Sequence, residues 1–561
     1  MGLLNKKKKK GGLSRVSGAS GSSGVESSPL RPQFVEKKAP CGVGCPNHNH
    51  IRKMLMTIHK AEDLKKSYDQ AFEEAFHIFL ETTPFPSVCG RVCPHPCESE
   101  CNRGGKEGAV GINSVERFIG DYGLEKGLKP KMLADQKRDN KVAIVGSGPG
   151  GMSAAYHLAR RGYQVTVYEA FPKSGGMLRY GIPNYRLPQD ILDKENQRIL
   201  DMGVKLKLNT SVGKDVSYEQ LQKDNDAVFV AIGAHKGRFL RVEGEEAENV
   251  FTGTDFLHRV NRGEAVDVGD HVVVIGGGDT AIDAARIARR LGAKATILYR
   301  RTRNEMPAID EEIVGAEEEG VRIDLLAAPL EVYQTNGRAT GMKCQRMQLG
   351  EPDSSGRRRP VPIEGDTFDM EFSTLVAAIS QEPDFTGCEN LIEGRDWIKV
   401  NDKYMTKVER VFSGGDDVNL GLVIDAIFHG RMAAAHIHEM ISGETLPTPP
   451  DRKIVRLENM YHAYYEEKQP IRATTIPVEE RFADIDREIM PTMTQDQAVG
   501  EAKRCMSCGM CFDCGSCWSL CQDQAVIKPQ QKMGEYKFKL EFCNGCKKCA
   551  ENCPCGYIEM H

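Results

Sequence analysis

Apolar residues along this chain follow two different patterns. Between about residues 35 and 130 they recur at helical spacing: Ile51, Leu55 and Ile58, then Ala71, Phe72, Ala75, Phe76 and Phe79. Each set lies on one face of a helix, so the region predicts a helical unit. From residue 141 onward, short continuous apolar runs alternate with helical stretches: Val142 to Val145, Gln164 to Tyr168, Asp226 to Ala234, His271 to Ile275, Lys294 to Tyr299, Leu375 to Asp384 and Val411 to Ser413. Apolar strands separated by helices predict parallel α/β sheets covered on both faces. The run starting at Leu375 reads as the strand on which the chain returns to the first of two sheets. Residues 440 to 500 are Pro-rich, then charged and mixed, with little periodicity, and predict a linker wrapped on the surface.

Two of these strands run into glycine loops. In Lys141 to Ala155 the glycine positions are Gly146, Gly148 and Gly151. The first permits a tight turn, the second lets backbone approach a pyrophosphate, and the third lets the helix pack on the strand. The following strand ends in Glu169, an acid suited to a ribose hydroxyl. The second loop, His271 to Ala281, places Gly276, Gly278 and Ala281 at the same positions. Its next strand ends in Arg300 and Arg301 instead of an acid, and arginine accommodates a 2′-phosphate. NADPH is therefore favoured, although these two and Arg303 equally read as a solvated surface cluster. Two loops predict two dinucleotides, one resident and one exchanged.

Composition narrows the class. The chain has 561 residues, 40% of them hydrophobic and 27% charged, as in soluble globular proteins. A net charge of −4 gives no overall field for nucleic acid, and no apolar run approaches a bilayer span. Lys6 to Lys10 are followed by Gly and Ser, without the apolar segment of a signal peptide. Residues 1–34 thus predict a basic, solvated tail on a cytoplasmic protein. Of nineteen cysteines, six lie between Cys41 and Cys101 and eleven between Cys505 and Cys555. A large chain with clustered C-x-x-C runs and no export signal points to iron–sulfur ligation. Cys511, Cys514, Cys517 and Cys521, then Cys543, Cys546, Cys549 and Cys553, repeat the two-cluster bacterial ferredoxin spacing. In that pattern the fourth cysteine of each run serves the other cluster, so Cys553 completes the first and Cys521 the second. Zinc, the alternative, prefers two separated pairs.

The N-terminal cysteine stretches, Cys41-Gly-Val-Gly-Cys45-Pro and ETTPFPSVCGRVCPHPCESECNR, followed by INSVERFIGDY, resemble the iron–sulfur domain of the glutamate synthase small subunit family. Dihydropyrimidine dehydrogenase shares that domain. The resemblance implies a [4Fe-4S] cluster on Cys45, Cys93, Cys97 and Glu116, with Cys89 a structural thiol. The family's other cluster uses the equivalents of Cys41 and Cys101 with an upstream C-x-x-C pair. No cysteine precedes Cys41 here, so one or two N-terminal clusters are expected. Glu501 to Cys508 resembles the missing pair. Cys505 and Cys508 are therefore expected either to join Cys41 and Cys101, within one chain or across a dimer, or to be structural or part of another site. The same resemblance lays Ser174 to Pro188 along FAD, with Gly176 and Arg186 in contact. It closes the FAD site with the strand ending at Gly233, and sets Asp416 on the ribityl chain; an N-cap aspartate is the plainer reading.

The expected architecture is α/β. It comprises the tail at 1–34, a helical iron–sulfur domain at 35–135, and two Rossmann-like domains of the glutathione reductase type. The FAD-binding domain takes 136–250 and 381–450, and the NAD(P)-binding domain 251–380. A linker at 451–500 leads to a two-cluster ferredoxin domain at 501–561. The cofactors are FAD, NAD(P)H and [4Fe-4S] clusters, and no side-chain acid, base or nucleophile is expected. With RCMSCGMCFDCGSCWSLCQDQAVIKP fused behind it, the chain most resembles the DsrL-type flavoproteins, which implies dissimilatory sulfite reductase as protein partner. A glutamate synthase small subunit or another NAD(P)H:ferredoxin-type oxidoreductase, and a non-catalytic relay subunit, are the alternatives. A homodimer is left open.

Overall fold

Val142 to Val145 are at most 4% exposed and form the middle of the first sheet. The structure is a computed structural model and describes residues 28–561 except 355, 393, 395, 396, 448 and 449. The sequence readings made on residues 1–27 lie outside the described residues. The first sheet is parallel, in the order Val411–Ser413, Ala227–Val230, Lys141–Val145, Gln164–Tyr168 and Lys205–Lys207. Helix Pro149–Arg160 leaves the end of the central strand and packs against the long helix Val423–Ser442. They cross closely: a Cβ on Gly430 would stand 2.1 Å from the Gly150 carbonyl oxygen.

The second sheet repeats the plan, in the order Arg322–Leu325, Lys294–Tyr299, His271–Ile275, Thr374–Ala377 and Val250–Thr252. Here the sequence reading needs correcting. Thr374–Ala377 is an inner strand of this second sheet, and is not the strand that returns to the first. The return follows it, as a short antiparallel ribbon of Gln381–Glu382 on Lys236–Gly237. A three-stranded antiparallel sheet, Ala327–Thr335, Arg338–Pro352 and Arg358–Glu371, is inserted before that strand.

The N-terminal unit is helical. Helices Ile51–His59 and Tyr68–Phe79 bury Leu55, Ile58, Phe72, Phe76 and Phe79, the apolar faces read from the sequence. Ser67 and Gln70 close a capping box at the start of the second helix. Helix Pro86–Val92 crosses helix Ile112–Glu125 at glycine on both sides. A Cβ on Gly90 would meet the Arg117 Cα at 2.4 Å, and one on Gly120 the Ser87 nitrogen at 2.3 Å. The backbone of Cys93 is extended, and a new turn begins at Pro96.

The segment 451–500 is more than a surface linker. Buried Arg481 pairs with Glu318 at 3.0 Å and Glu319 at 3.4 Å in the second unit. The Ile489 N–H donates to the Tyr185 carbonyl of the first. Glu488 holds Arg91 and Arg117 of the helical unit, each at 2.7 Å. It is a strap touching three units in turn, and three different surfaces impose no single period on it. Beyond it, helix Gln495–Ala502 leads into the C-terminal cysteine module. The module ends on strand Ile558–Met560, which pairs antiparallel with strand Pro32–Phe34. Among the described residues, no helix is long and apolar enough to cross a membrane.

Candidate functional site

Each glycine loop opens on a cavity. The first, about 380 Å³, is lined by the loop Gly146 to Gly150, by Glu169, by Gly176 and Gly233, and by Gly414 to Asp416. Gly146 has φ +100°, and a Cβ there would stand 2.2 Å from the Ala231 carbonyl oxygen. Gly151 is required by packing, since its Cβ would lie 2.0 Å from the Gly146 oxygen. Gly148 differs: a Cβ on it would meet no protein atom closer than 3.9 Å. What a side chain there would fill is the cavity itself. Gly148 also caps helix Pro149–Arg160 with no side-chain bond, which leaves the first-turn N–H groups open to an anion.

Glu169 lies on the cavity wall, where its carboxylate accepts from the Ser147 N–H at 2.9 Å and the Phe171 N–H at 2.9 Å. Arg186 is placed elsewhere. It does not line this cavity, and its guanidinium donates to Asp283 at 2.7 Å and pairs by charge with Glu312 at 3.3 Å in the second unit. The sequence reading missed two histidines. His235 lines the first cavity, and burial with His258 beside it holds it down at about 4. His429 accepts the Gly415 N–H at 3.0 Å. Single histidines in an unmarked context carry no sequence signal for this.

The second cavity, about 580 Å³, is lined by Gly276, Gly277 and Gly278, by Thr254, and by Arg300 and Arg301. Helix Asp279–Arg290 also starts without a side-chain cap, and a Cβ on Gly278 would meet nothing nearer than 3.8 Å. Ala281 is buried in the first turn of that helix. The two arginines differ. Arg301 is buried, donating to Asp353 at 2.8 Å and to the Arg358 carbonyl at 2.8 Å. Arg300 is exposed on the cavity wall.

Asp416 lines both cavities. It accepts the Gly421 N–H at 3.1 Å. Burial pushes its carboxyl up to about 6, against the pull of that N–H and with Asp425 adding to the rise.

The cysteines gather in four groups. Cys45, Cys93 and Cys97 face buried Glu116, and Cys89 stands beside them. The Glu116 Oε1 has no hydrogen-bond partner. Burial, with Glu195 and Glu98 nearby, drives that carboxyl far above its usual range. An orphaned carboxyl oxygen among thiols suits the iron of a cluster, because coordination supplies the missing partner. The N–H groups of Asn49, Asn47 and His48 point at the Cys45 sulfur.

Cys41, Cys101, Cys505 and Cys508 form the second group, around one small cavity. In the C-terminal module Cys517 faces Cys514, Cys511 and Cys553, while Cys549 faces Cys543, Cys546 and Cys521. The Ala525 N–H reaches the Cys521 sulfur and the Tyr557 N–H the Cys553 sulfur, each at 3.2 Å. Cys555, which the sequence reading left unassigned, lies 3.7 Å from Cys553, and its hydrogen bond pulls the Cys553 thiol down. None of these cysteines forms a disulfide. Among the described residues, no group of three or more His, Cys, Asp or Glu could hold a single metal ion. A zinc tetrahedron with Zn–S near 2.3 Å needs sulfurs about 3.8 Å apart, closer than a cubane cluster sets them.

Comparison with known proteins covers the helical unit and the two units that carry the glycine loops. Residues 140–433 match the family described as pyridine nucleotide-disulphide oxidoreductase. Residues 35–128 match dihydropyrimidine dehydrogenase domain II, 4Fe-4S cluster. The chain is 38% identical over 519 residues to the NADPH-Fe(3+) oxidoreductase subunit beta of Geobacter sulfurreducens, covering 85% of this chain and 76% of that one. It is 38% identical over 535 residues to the NADP(+)-dependent formate dehydrogenase subunit beta of Moorella thermoacetica, covering 89% and 74%. It is 34% identical over 423 residues to the glutamate synthase [NADPH] small chain of Escherichia coli, covering 70% and 87%.

Proposed function

Because the chain belongs to the pyridine nucleotide-disulphide oxidoreductase family, in the iron–sulfur branch that includes the glutamate synthase small chains, we propose that it carries electrons between NADPH and a protein partner. The observation that carries this reading is Asp416, a single side chain on the wall of both dinucleotide cavities. Two nucleotides lying in those cavities would meet there. Gly146, Gly148, Gly176 and Gly233 cradle FAD in the first cavity, with Glu169 toward its ribose. Gly276 and Gly278 seat the NADPH pyrophosphate at a helix N-terminus, and Arg300 faces its 2′-phosphate. Cys45, Cys93, Cys97 and Glu116 hold one [4Fe-4S] cluster. The C-terminal module holds two, on Cys511, Cys514, Cys517 with Cys553 and on Cys543, Cys546, Cys549 with Cys521. When bound, these groups turn one hydride into two single-electron transfers and a released proton. The protein's part is to seat and orient them and to keep water from the flavin.

For the partner, the sequence resemblance supports dissimilatory sulfite reductase. The names of the relatives, two beta subunits and a small chain, support the broader statement of a protein that works with a partner subunit. The first test is anaerobic addition of NADPH to the holoprotein. Bleaching of the flavin is expected, and an unbleached flavin would favour a non-catalytic relay. The second is NADPH turnover with candidate partners. Turnover with a glutamate synthase large subunit and none with a sulfite reductase would reverse the choice of partner.

A further inference from the structure

We infer that the C-terminal module presents a docking face for an acidic redox protein. The face has an apolar centre of Trp518, Ile527 and Phe542 and carries Lys528, Lys537 and Lys539, beside the cysteine group of Cys521, Cys543, Cys546 and Cys549. The inference rests on the electron-transfer reading above, and adds where the electrons leave and what kind of surface receives them.

A two-stranded ribbon builds the face. The chain runs from Cys521 through strand Val526–Ile527, turns, and comes back along strand Lys537–Phe538 to Cys543. Both ends of the ribbon are therefore tied to one cysteine group. The Ala525 N–H reaches the Cys521 sulfur at 3.2 Å, and the Cys543 N–H donates to the Leu540 carbonyl at 3.2 Å. Val526 lies opposite Phe538, and Ile527 opposite Lys537. Opposed residues share a face and successive ones alternate, so Val526 and Phe538 turn inward while Ile527, Lys537 and Lys539 turn to solvent. Trp518 precedes the ribbon, its carbonyl accepting the Cys521 N–H at 3.3 Å, and Phe542 follows it, directly before Cys543. The two rings are 49% and 56% exposed. Lys528 Nζ lies 5.2 Å from the Trp518 ring centroid and Lys539 Nζ 5.7 Å from that of Phe542, which joins rings and lysines into one surface.

Charge and exposure select the occupant. Residues 527 to 548 hold six lysines against two glutamates, in a chain whose net charge is −4. Among the described residues, none of the six lysines makes an ion pair. The module's two aspartates are engaged within the fold: Asp513 accepts from the Tyr536 hydroxyl at 2.6 Å, and Asp523 from the Asn544 N–H at 3.3 Å. Six unpaired ammoniums exceed the negative charge of four thiolates on a [4Fe-4S]²⁺ core, so the face attracts anions with the site filled. Exposed aromatic rings bordered by cations are what a transient protein interface offers, and the cations speed encounter with a surface of opposite sign. None of Cys521, Cys543, Cys546 and Cys549 is buried, whereas the module's other group includes buried Cys517 and Cys553. The group beside the face is thus the one a partner approaches most closely. Each NADPH supplies two electrons and releases one proton. The electrons cross the face singly, each reducing one acceptor, with no bond made or broken there.

The test pairs the anaerobic full-length holoprotein with cytochrome c, a basic one-electron acceptor, and with its succinylated form, whose lysines have become carboxylates. Surface plasmon resonance reads binding, and haem absorbance reads the rate of reduction by NADPH. The succinylated form is expected to bind more tightly and to be reduced faster than the native form, both advantages falling about tenfold from low salt to ~0.2 M. Lys528→Glu, Lys537→Glu and Lys539→Glu together should abolish that preference. The same reversal at exposed Lys205, Lys214 and Lys223 of the first nucleotide-binding unit should keep it. Trp518→Ala with Phe542→Ala should weaken binding by a factor that salt does not change. NADPH should bleach the flavin in every variant. A wild type left unbleached fails the electron-transfer reading, while plasmon resonance still reads docking. Equal binding of the two cytochromes, or equal loss in the control variant, overturns the face. Unchanged binding without the two rings overturns its apolar centre. Capture of phosphatidylserine vesicles that the ribbon variant loses, with no preference between the cytochromes, assigns the face to a membrane and overturns the protein partner.

Discussion

Arg186 Nη1 lies 2.7 Å from Asp283 Oδ2, joining the two nucleotide-binding units through side chains only 5% and 4% exposed. Burial pushes the Asp283 carboxyl up to about 6, and Arg186 restrains the rise. Arg186→Leu leaves Asp283 and Glu312 together without that cation. Removing one member of a buried pair costs about 3–5 kcal/mol. Denaturant unfolding of the holoprotein should show this loss while FAD stoichiometry is unchanged. FAD loss at wild-type stability would instead restore Arg186 to the flavin site.

Arg300 and Arg301 should separate cleanly. Arg300→Ala is expected to raise KM for NADPH about tenfold, equivalent to ~1.4 kcal/mol, with little effect on NADH. Arg301→Ala should lower the melting temperature and leave the NADPH to NADH ratio alone, because its guanidinium serves Asp353 and the Arg358 carbonyl. Steady-state kinetics with both nucleotides, alongside thermal unfolding, decides it.

Asp416 predicts a pH dependence. With its carboxyl at about 6, it is neutral below that pH and anionic above it. An anion beside the flavin opposes added electron density, so it lowers the flavin potential only above pH ~6. Spectroscopic redox titration should therefore find Asp416→Asn higher than wild type at pH 8, with the two converging by pH 5. Parallel curves across that range would remove Asp416 from the flavin's surroundings.

Glu116 is tested by charge and by length. Glu116→Ala should cost the N-terminal cage its iron. Glu116→Gln should retain the iron and raise the cluster potential, on the order of tens of millivolts, since a neutral ligand replaces an anion. Iron analysis with a potentiometric titration reads both. If Glu116→Ala keeps full iron content, the carboxylate is not a ligand.

Much of the site was legible in the sequence because glycine and cysteine leave little freedom. Gly146 and Gly276 answer to backbone contacts that no other residue tolerates, and their strands are apolar on both faces. Arg186 was misplaced because a match to a cofactor-contacting stretch does not say which way a side chain turns. The inserted sheet was missed for a different reason. Strand Arg358–Glu371 has no buried residue, so it shows no alternation of buried and exposed positions. The strap failed the same test, because Arg481, Glu488 and Ile489 each answer to a different neighbour.

The pairing of Pro32–Phe34 with Ile558–Met560 sets an order on biosynthesis. Strand Pro32–Phe34 has no partner until Ile558–Met560 has been made. Cys41 and Cys101 wait nearly as long for Cys505 and Cys508. The helical unit is synthesised long before the segments that complete its contacts. A chain that stops before Ile558–Met560 leaves strand Pro32–Phe34 without its partner.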